Sequence, residues 1–470
     1  MSLEEEMQQW REKLIGDRKF YRRLFRIAVP MMIQMGITNF ASMLDNIMVG
    51  KIGTEQMTGV AIANQLVFVY NLLVFGAVSG PGIFTAQFFG QRNHEGIRYT
   101  VRFKLICCGI ITVLGLIVMG SSGEPLIRMY LHQEGSTGSI ANTLVYGLDY
   151  LHIVMLSFIP FAFVQAYAGT LKETGETLLP MKAGLISVLV NLVLNYIFIY
   201  GKFGVPALGA SGAAIGTVAA RIVEMLIIVV WTHRKKERNP FVVGLYRGLH
   251  IPKELVRKIF IKGFPLLLNE GLWASGMAML MQCYSVRGLD VVAAMNISNT
   301  LNNLFNVVFL SIGNSVAIIV GQLLGAGRMK EAKHSAYKII FCSTILCIGI
   351  AMCLAGASFV FPNVYETTQR IRDLAKGFIL VLAVYMPVNA FLHATYFTIR
   401  SGGKTIITFL FDSGFIWCIT IPLAYCLSRF TALPILPLYF ICCGADAVKA
   451  IVGFILLIRG RWLNNLVEEG

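Results

Sequence analysis

Shifted by 235 positions without a gap, the chain matches itself at residues that apolar sequence does not align by chance. Pro30 falls on Pro265, Gly53 on Gly288, Asn64 on Asn299, Asn71 on Asn306, Gln87 on Gln322 and Gly90 on Gly325. Further along, at an offset of 228, Leu171-Lys-Glu-Thr-Gly-Glu-Thr177 lies on Ile399-Arg-Ser-Gly-Gly-Lys-Thr405, and Pro206 lies on Pro434. Two related halves must share one fold. If both are membrane-embedded, the plan is the usual one of a secondary transporter, with the site where the halves face each other.

Composition supplies the membrane. The 470 residues are 56% hydrophobic and 14% charged, with mean hydropathy +0.68, more apolar surface than a soluble core absorbs. A spanning helix needs about 20 apolar residues. Twelve such runs lie near 25–49, 58–86, 101–120, 145–167, 178–200, 207–231, 259–286, 291–320, 336–357, 375–399, 405–428 and 435–458. Long continuous runs exclude a membrane barrel, whose strands alternate. The expected fold is an all-α integral membrane protein of twelve spans in two six-helix lobes. Six spans per half point both halves the same way, a parallel pseudo-two-fold repeat. The expected division is an amino-terminal lobe over 1–235, a cytoplasmic linker with an amphipathic segment over 236–258, and a carboxy-terminal lobe over 259–470. Arg18, Arg22, Arg23 and Phe25 match Lys253, Arg257, Lys258 and Phe260, so each lobe is preceded by a basic amphipathic stretch expected to lie along the anionic leaflet.

The net charge of +15 follows orientation. With both termini inside, the cytoplasmic segments hold 30 Lys and Arg and the outer loops 8, while Arg221 and Lys449 lie within spans; this is the positive-inside bias. Lipid is therefore the expected partner of the basic excess, and nucleic acid is not. Residues 1–24 are too charged for a cleavable leader. The ten cysteines show no CxxC spacing and read as small interior residues. A monomer in a bacterial cytoplasmic membrane, without cofactor, is expected.

Charge at bilayer depth is kept for pairing or for work. Arg221 with Glu224, and Asp446 with Lys449, stand three apart, a spacing that brings side chains together; Asp446 could instead join a proton path. Asp412 and His393 have no obvious local partner, and His393 reads as an interior histidine. Asp45 shares its expected depth with Asn191, Asn195 and Thr217. One carboxylate, two amides and a hydroxyl suit Na⁺ or a held proton, and equally suit a hydrogen-bond network with no ion. Glu270 follows Pro265 by a turn and a half, and Asn299, Asn302, Asn303 and Asn306 form a polar stripe suited to a central cavity or to lobe-internal bonding. Glu270, Asn299, Asn303, Asn306 and Trp273 are the candidate substrate or proton contacts. Phe68, Tyr70, Met277 and Phe305 are further aromatic and Met candidates, which ordinary helix packing explains as well.

In order along the chain, the Asp45–Gly53 element, Gln87-Phe-Phe-Gly90 and Gln322-Leu-Leu-Gly325, Asn191-Leu-Val-Leu-Asn195, Gly209–Thr217 and Glu270 resemble the multidrug and toxic compound extrusion (MATE) transporters over essentially the whole length. The resemblance implies a V-shaped pair of lobes that rock to export cationic, amphipathic compounds in exchange for H⁺ or Na⁺. It implies a cation site at Asp45, Asn191, Asn195 and Thr217, and a second acid at Glu270. The chain departs from that pattern at Asn195, an Asp in some relatives, and in span ten, which carries no acid, so the coupling ion stays open. A lipid-linked saccharide flippase of the same superfamily is the alternative, though fourteen spans would be usual there. A sugar facilitator would show a charged signature loop that 87–98 lacks. An enzyme would show a nucleophile and base, or a metal set, and none is found.

Overall fold

The computed structural model describes residues 14–131, 139–365 and 367–468. Twelve long helical segments follow one another: α1 Arg18–Gly50, α2 Thr54–Gly90, α3 His94–Arg128, α4 Ile140–Glu173, α5 Leu178–Tyr200, α6 Gly209–Arg234, α7 Lys253–Ser285, α8 Leu289–Gly325, α9 Met329–Ala357, α10 Gln369–Ser401, α11 Thr405–Phe430 and α12 Ile435–Arg459. No strand occurs among the described residues. Eleven of the twelve are long and apolar enough to cross a bilayer. The exception is α7, whose apolar stretch is interrupted by Pro265, Asn269 and Glu270. Outward faces are apolar, as lipid requires: Ile110, Val113, Leu114, Ile117 and Val118 of α3 are all exposed.

The repeat reappears in the helix boundaries. Helix α1 (18–50) and α7 (253–285) begin and end 235 residues apart, as do α2 (54–90) and α8 (289–325). Gly53 and Gly288 explain one sequence match. Each precedes its helix at positive φ, +143° and +120°, a conformation that a side chain disfavours. The basic stretches at Arg18–Phe25 and Lys253–Phe260 are the opening turns of α1 and α7 rather than separate surface helices. No breaker separates them from the spans, and Pro30 and Pro265 lie inside the helices without ending them.

The chain divides into two compact units. One comprises Ile33–Thr85 with His94–Lys258; the other comprises 14–32, Ala86–Asn93 and the chain from Ile259 onward. The first turns of α1 therefore pack with the second unit, where Leu24, Ile27, Ala28 and Met31 join a core with Ile312, Val316, Leu323 and Ile339. The linker is folded onto the first unit. Phe241, Val242 and Leu245 are buried, and Arg102 donates to the carbonyls of Gly244, Leu245 and His250. Arg98 donates to that of Phe241.

The first unit also buries ions. The Lys104 ammonium, fully buried, pairs with Glu173 and donates to Thr170 Oγ1 at 3.1 Å. Arg221 and Glu224 pair at 2.9 Å. Removing one partner of a buried pair costs about 3–5 kcal/mol, because the other charge keeps its desolvation. Lys104→Met should therefore lower the melting temperature of purified protein markedly, and adding Glu173→Gln should recover part of the loss.

Candidate functional site

Asp45 lies late in α1, one turn and a half before the helix ends at Gly50. Polar side chains of two helices of the same unit, α5 and α6, gather beside it. Asn195 of α5 donates through Nδ2 to Asp45 Oδ1 at 2.8 Å. Asn191, one turn earlier on the same face, lies against the same acid, and its amide nitrogen donates to both Asp45 oxygens, at 3.0 and 3.1 Å. Thr217 of α6 is the next polar side chain along, beside the Asn191 amide at 3.4 Å.

Two features sharpen this site. Asn195 Oδ1 is buried with no hydrogen-bond partner among the described residues and packs where a Gly216 side chain would otherwise stand. Among the described residues, no Lys or Arg pairs with Asp45. The sequence reading missed Tyr150 and Asn64, which complete the wall. Tyr150 of α4 donates to Asn64 Oδ1 of α2 at 3.0 Å and lies in the electrostatic neighbourhood of Asp45 and Thr217. The Asn64–Asn299 repeat match was a usable signal for Asn64; Tyr150 had none.

The second unit holds a different polar set. Glu270 of α7 is half-buried, and Arg400 and Asp412 are its charged neighbours. Asn269, beside it, ties α7 to α11: it donates to Asp412 Oδ2 at 3.0 Å and accepts from Ser413 Oγ at 2.7 Å. Lys449 pairs with Asp412 at 3.2 Å rather than with Asp446 on its own helix, a correction to the expectation from spacing. The partner is on the neighbouring helix, α11, which is wound as π-helix over Leu410–Gly414 and Ile416–Thr420. His393 packs edge-on against Phe309 in the interior, ring centroids 4.9 Å apart.

The remaining candidates scatter. Asn303 is exposed, and Asn299, Asn302 and Asn306 are half-buried. Trp273, Met277 and Phe68 are exposed, and Phe305 is half-buried. Tyr70 is withdrawn as a ligand contact. It is 2% exposed, stacks on Phe158 at 3.8 Å and donates to the Phe158 carbonyl, so it is core.

One family model, MatE, matches twice, over residues 30–197 and 265–426. The two matches open on Pro30 and Pro265, the first pair of the internal repeat. The chain is 21% identical over 451 residues to a probable multidrug resistance protein NorM of Thermotoga maritima, covering 95% of this chain and 94% of that one. It is 25% identical over 414 residues to the multidrug resistance protein MdtK of Pectobacterium atrosepticum, covering 87% of each. In fold it is similar to a crystal structure of a MATE protein in complex with MaL6, with a TM-score of 0.84 at 20% identity, covering 96% of this chain and 98% of that one. Matched by the family model through most of both halves, the chain belongs to the MatE family of multi-pass membrane transporters and is not an enzyme.

Proposed function

We propose that the protein exports cationic, amphipathic small molecules across a bacterial cytoplasmic membrane in exchange for H⁺ or Na⁺, with both termini inside. Asp45 carries the coupling ion. The observation behind this is a membrane-embedded carboxylate that has amides and hydroxyls around it and, among the described residues, no basic partner of its own. At that depth an uncompensated charge is expensive, so the acid holds a proton or a cation, with Asn191, Asn195 and Thr217 able to supply oxygens. Exchange follows if the substrate-bound and ion-bound forms prefer opposite conformations of two rocking halves, since a ligand shifts an equilibrium by its differential affinity. Expression in cells lacking their own efflux pumps tests this: intracellular organic-cation dye should fall, and collapsing both gradients should abolish the fall.

Glu270 is the proposed anionic anchor for substrate, with Trp273, Asn299, Asn303 and Asn306 as candidate contacts. At moderate effective dielectric a charge pair contributes on the order of 1–4 kcal/mol, so Glu270→Gln should weaken binding of a cationic dye about tenfold or more. A neutral analogue of the same shape should bind almost unchanged. Equal losses for both, measured on purified protein, would remove Glu270 from the substrate site.

A further inference from the structure

The carboxy-terminal end of α6 carries an open groove of about 600 Å³, lined by Leu226, Ile227, Val230, Trp231, Arg234 and Lys235. Two rows make the lining, with Leu226, Val230 and Arg234 in one and Ile227, Trp231 and Lys235 in the other. Each row steps by four residues, so the two run side by side along one helix face. The other face of α6, with Ala220, Glu224, Ile228 and Thr232, is buried where the helix packs on α4 and α5. Leu226 and Val230 are exposed and Ile227 and Trp231 half-buried. Two apolar turns therefore lie open and end in two bases.

Three hydrogen-bond donors line that end: the Arg234 guanidinium, the Lys235 ammonium and the Trp231 indole N–H. Among the described residues none of the three makes a hydrogen bond or an ion pair. Other basic groups of the unit are committed. Lys104 pairs with Glu173, Arg102 donates to linker carbonyls, and His233 Nε2 shares a hydrogen bond with the Tyr167 hydroxyl at 2.9 Å. Between Glu224 and Glu254 the chain holds one acid, Glu237, against six Lys and Arg. The 26 residues of α6 run about 39 Å, more than the ~30 Å hydrocarbon layer, which leaves the last turn at headgroup depth.

We propose that the groove is a site for one anionic phospholipid, an acyl chain lying along the two rows and the phosphate held by Arg234, Lys235 and Trp231. Charge complementarity selects the headgroup. A guanidinium presents a planar fork that matches phosphate oxygens, and the ammonium adds a point charge. The indole, apolar in body and a donor at its tip, belongs at the same interface. With the orientation proposed above, the lipid comes from the cytoplasmic leaflet, where anionic lipids draw basic segments. Bases in a last turn also answer the helix's own terminal carbonyls, but that role involves neither apolar rows nor an indole and selects no lipid.

Binding is read in detergent, with no gradient and no substrate, so failure of the transport reading and failure of this proposal are separate results. The full chain is titrated with dioleoyl phosphatidylglycerol, dioleoyl phosphatidylcholine or dihexanoyl phosphatidylglycerol and followed by native mass spectrometry. Wild type should bind the first about tenfold or more tighter than the second, the size expected of two bases at a membrane surface. It should bind the third weakly, because short chains leave the apolar rows uncovered. Arg234→Gln with Lys235→Gln should remove the preference between headgroups. Lys236→Gln with Arg238→Gln, the same loss of charge outside the groove, should keep it. An equal loss in the two double variants would make the effect one of net charge and overturn the proposal. Wild type decides alone should the first double variant not fold: equal affinity for the two headgroups, or for the long and short chains, would overturn it as well.

Discussion

Gly90→Ala and Gly325→Ala should each leave little folded protein. The last turns of α2 and α8 cross within one compact unit, backbone on backbone. A methyl on Gly90 would fall inside contact distance of the Gln322 carbonyl, and one on Gly325 inside that of the Gln87 carbonyl. The contact is reciprocal, each glycine against the glutamine that opens the matching motif. Small residues are what let helix backbones approach this closely in a membrane. Overpacking among side chains costs about 1–3 kcal/mol because they repack; here a backbone would have to move, so the loss should be larger. Gln87 makes retreat harder, since its buried amide donates to Ser401 O at 2.9 Å and accepts from Leu466 N at 2.7 Å. Size-exclusion profiles of Gly90→Ala and Gly325→Ala would show aggregated protein, while Gly36→Ala, with open space at its Cβ, should run as wild type.

Asp45→Asn should abolish uphill export while sparing the fold. The amide keeps the size and the hydrogen bond to α5, but it cannot exchange charge with an ion. Coupling between sites is ordinarily 5- to 150-fold in affinity, and losing all of it leaves no gradient-driven accumulation. Asn191→Ala and Asn195→Ala should reduce it less, since the carboxylate remains. Gradient-free dye exchange by Asp45→Asn should persist, because substrate is read by other groups.

Much of this was legible in the residues because the repeat turns one sequence into two readings of the same fold. Gly53 and Gly288 mark the starts of α2 and α8, Pro30 and Pro265 recur inside α1 and α7, and the boundaries of these four helices repeat at the same offset. The Asp45 set was legible for a different reason: alternating span direction gives depth, and four polar side chains at one depth in apolar helices must meet. Lys449 shows where that logic stops. Its partner lies 37 residues away on a helix wound partly as π, so neither i, i+3 spacing nor depth identifies it. Tyr70 shows another limit. An aromatic residue in a span reads the same whether it meets a ligand or Phe158, and only its burial decides.

Asp45 is the proposed ion-carrying group. The direct measurement is dye transport in proteoliposomes under one imposed gradient at a time, pH or Na⁺, for wild type beside Asp45→Asn. Wild type should accumulate the dye under at least one of the two gradients and Asp45→Asn under neither, with gradient-free exchange retained. Uphill accumulation by Asp45→Asn equal to wild type would contradict it.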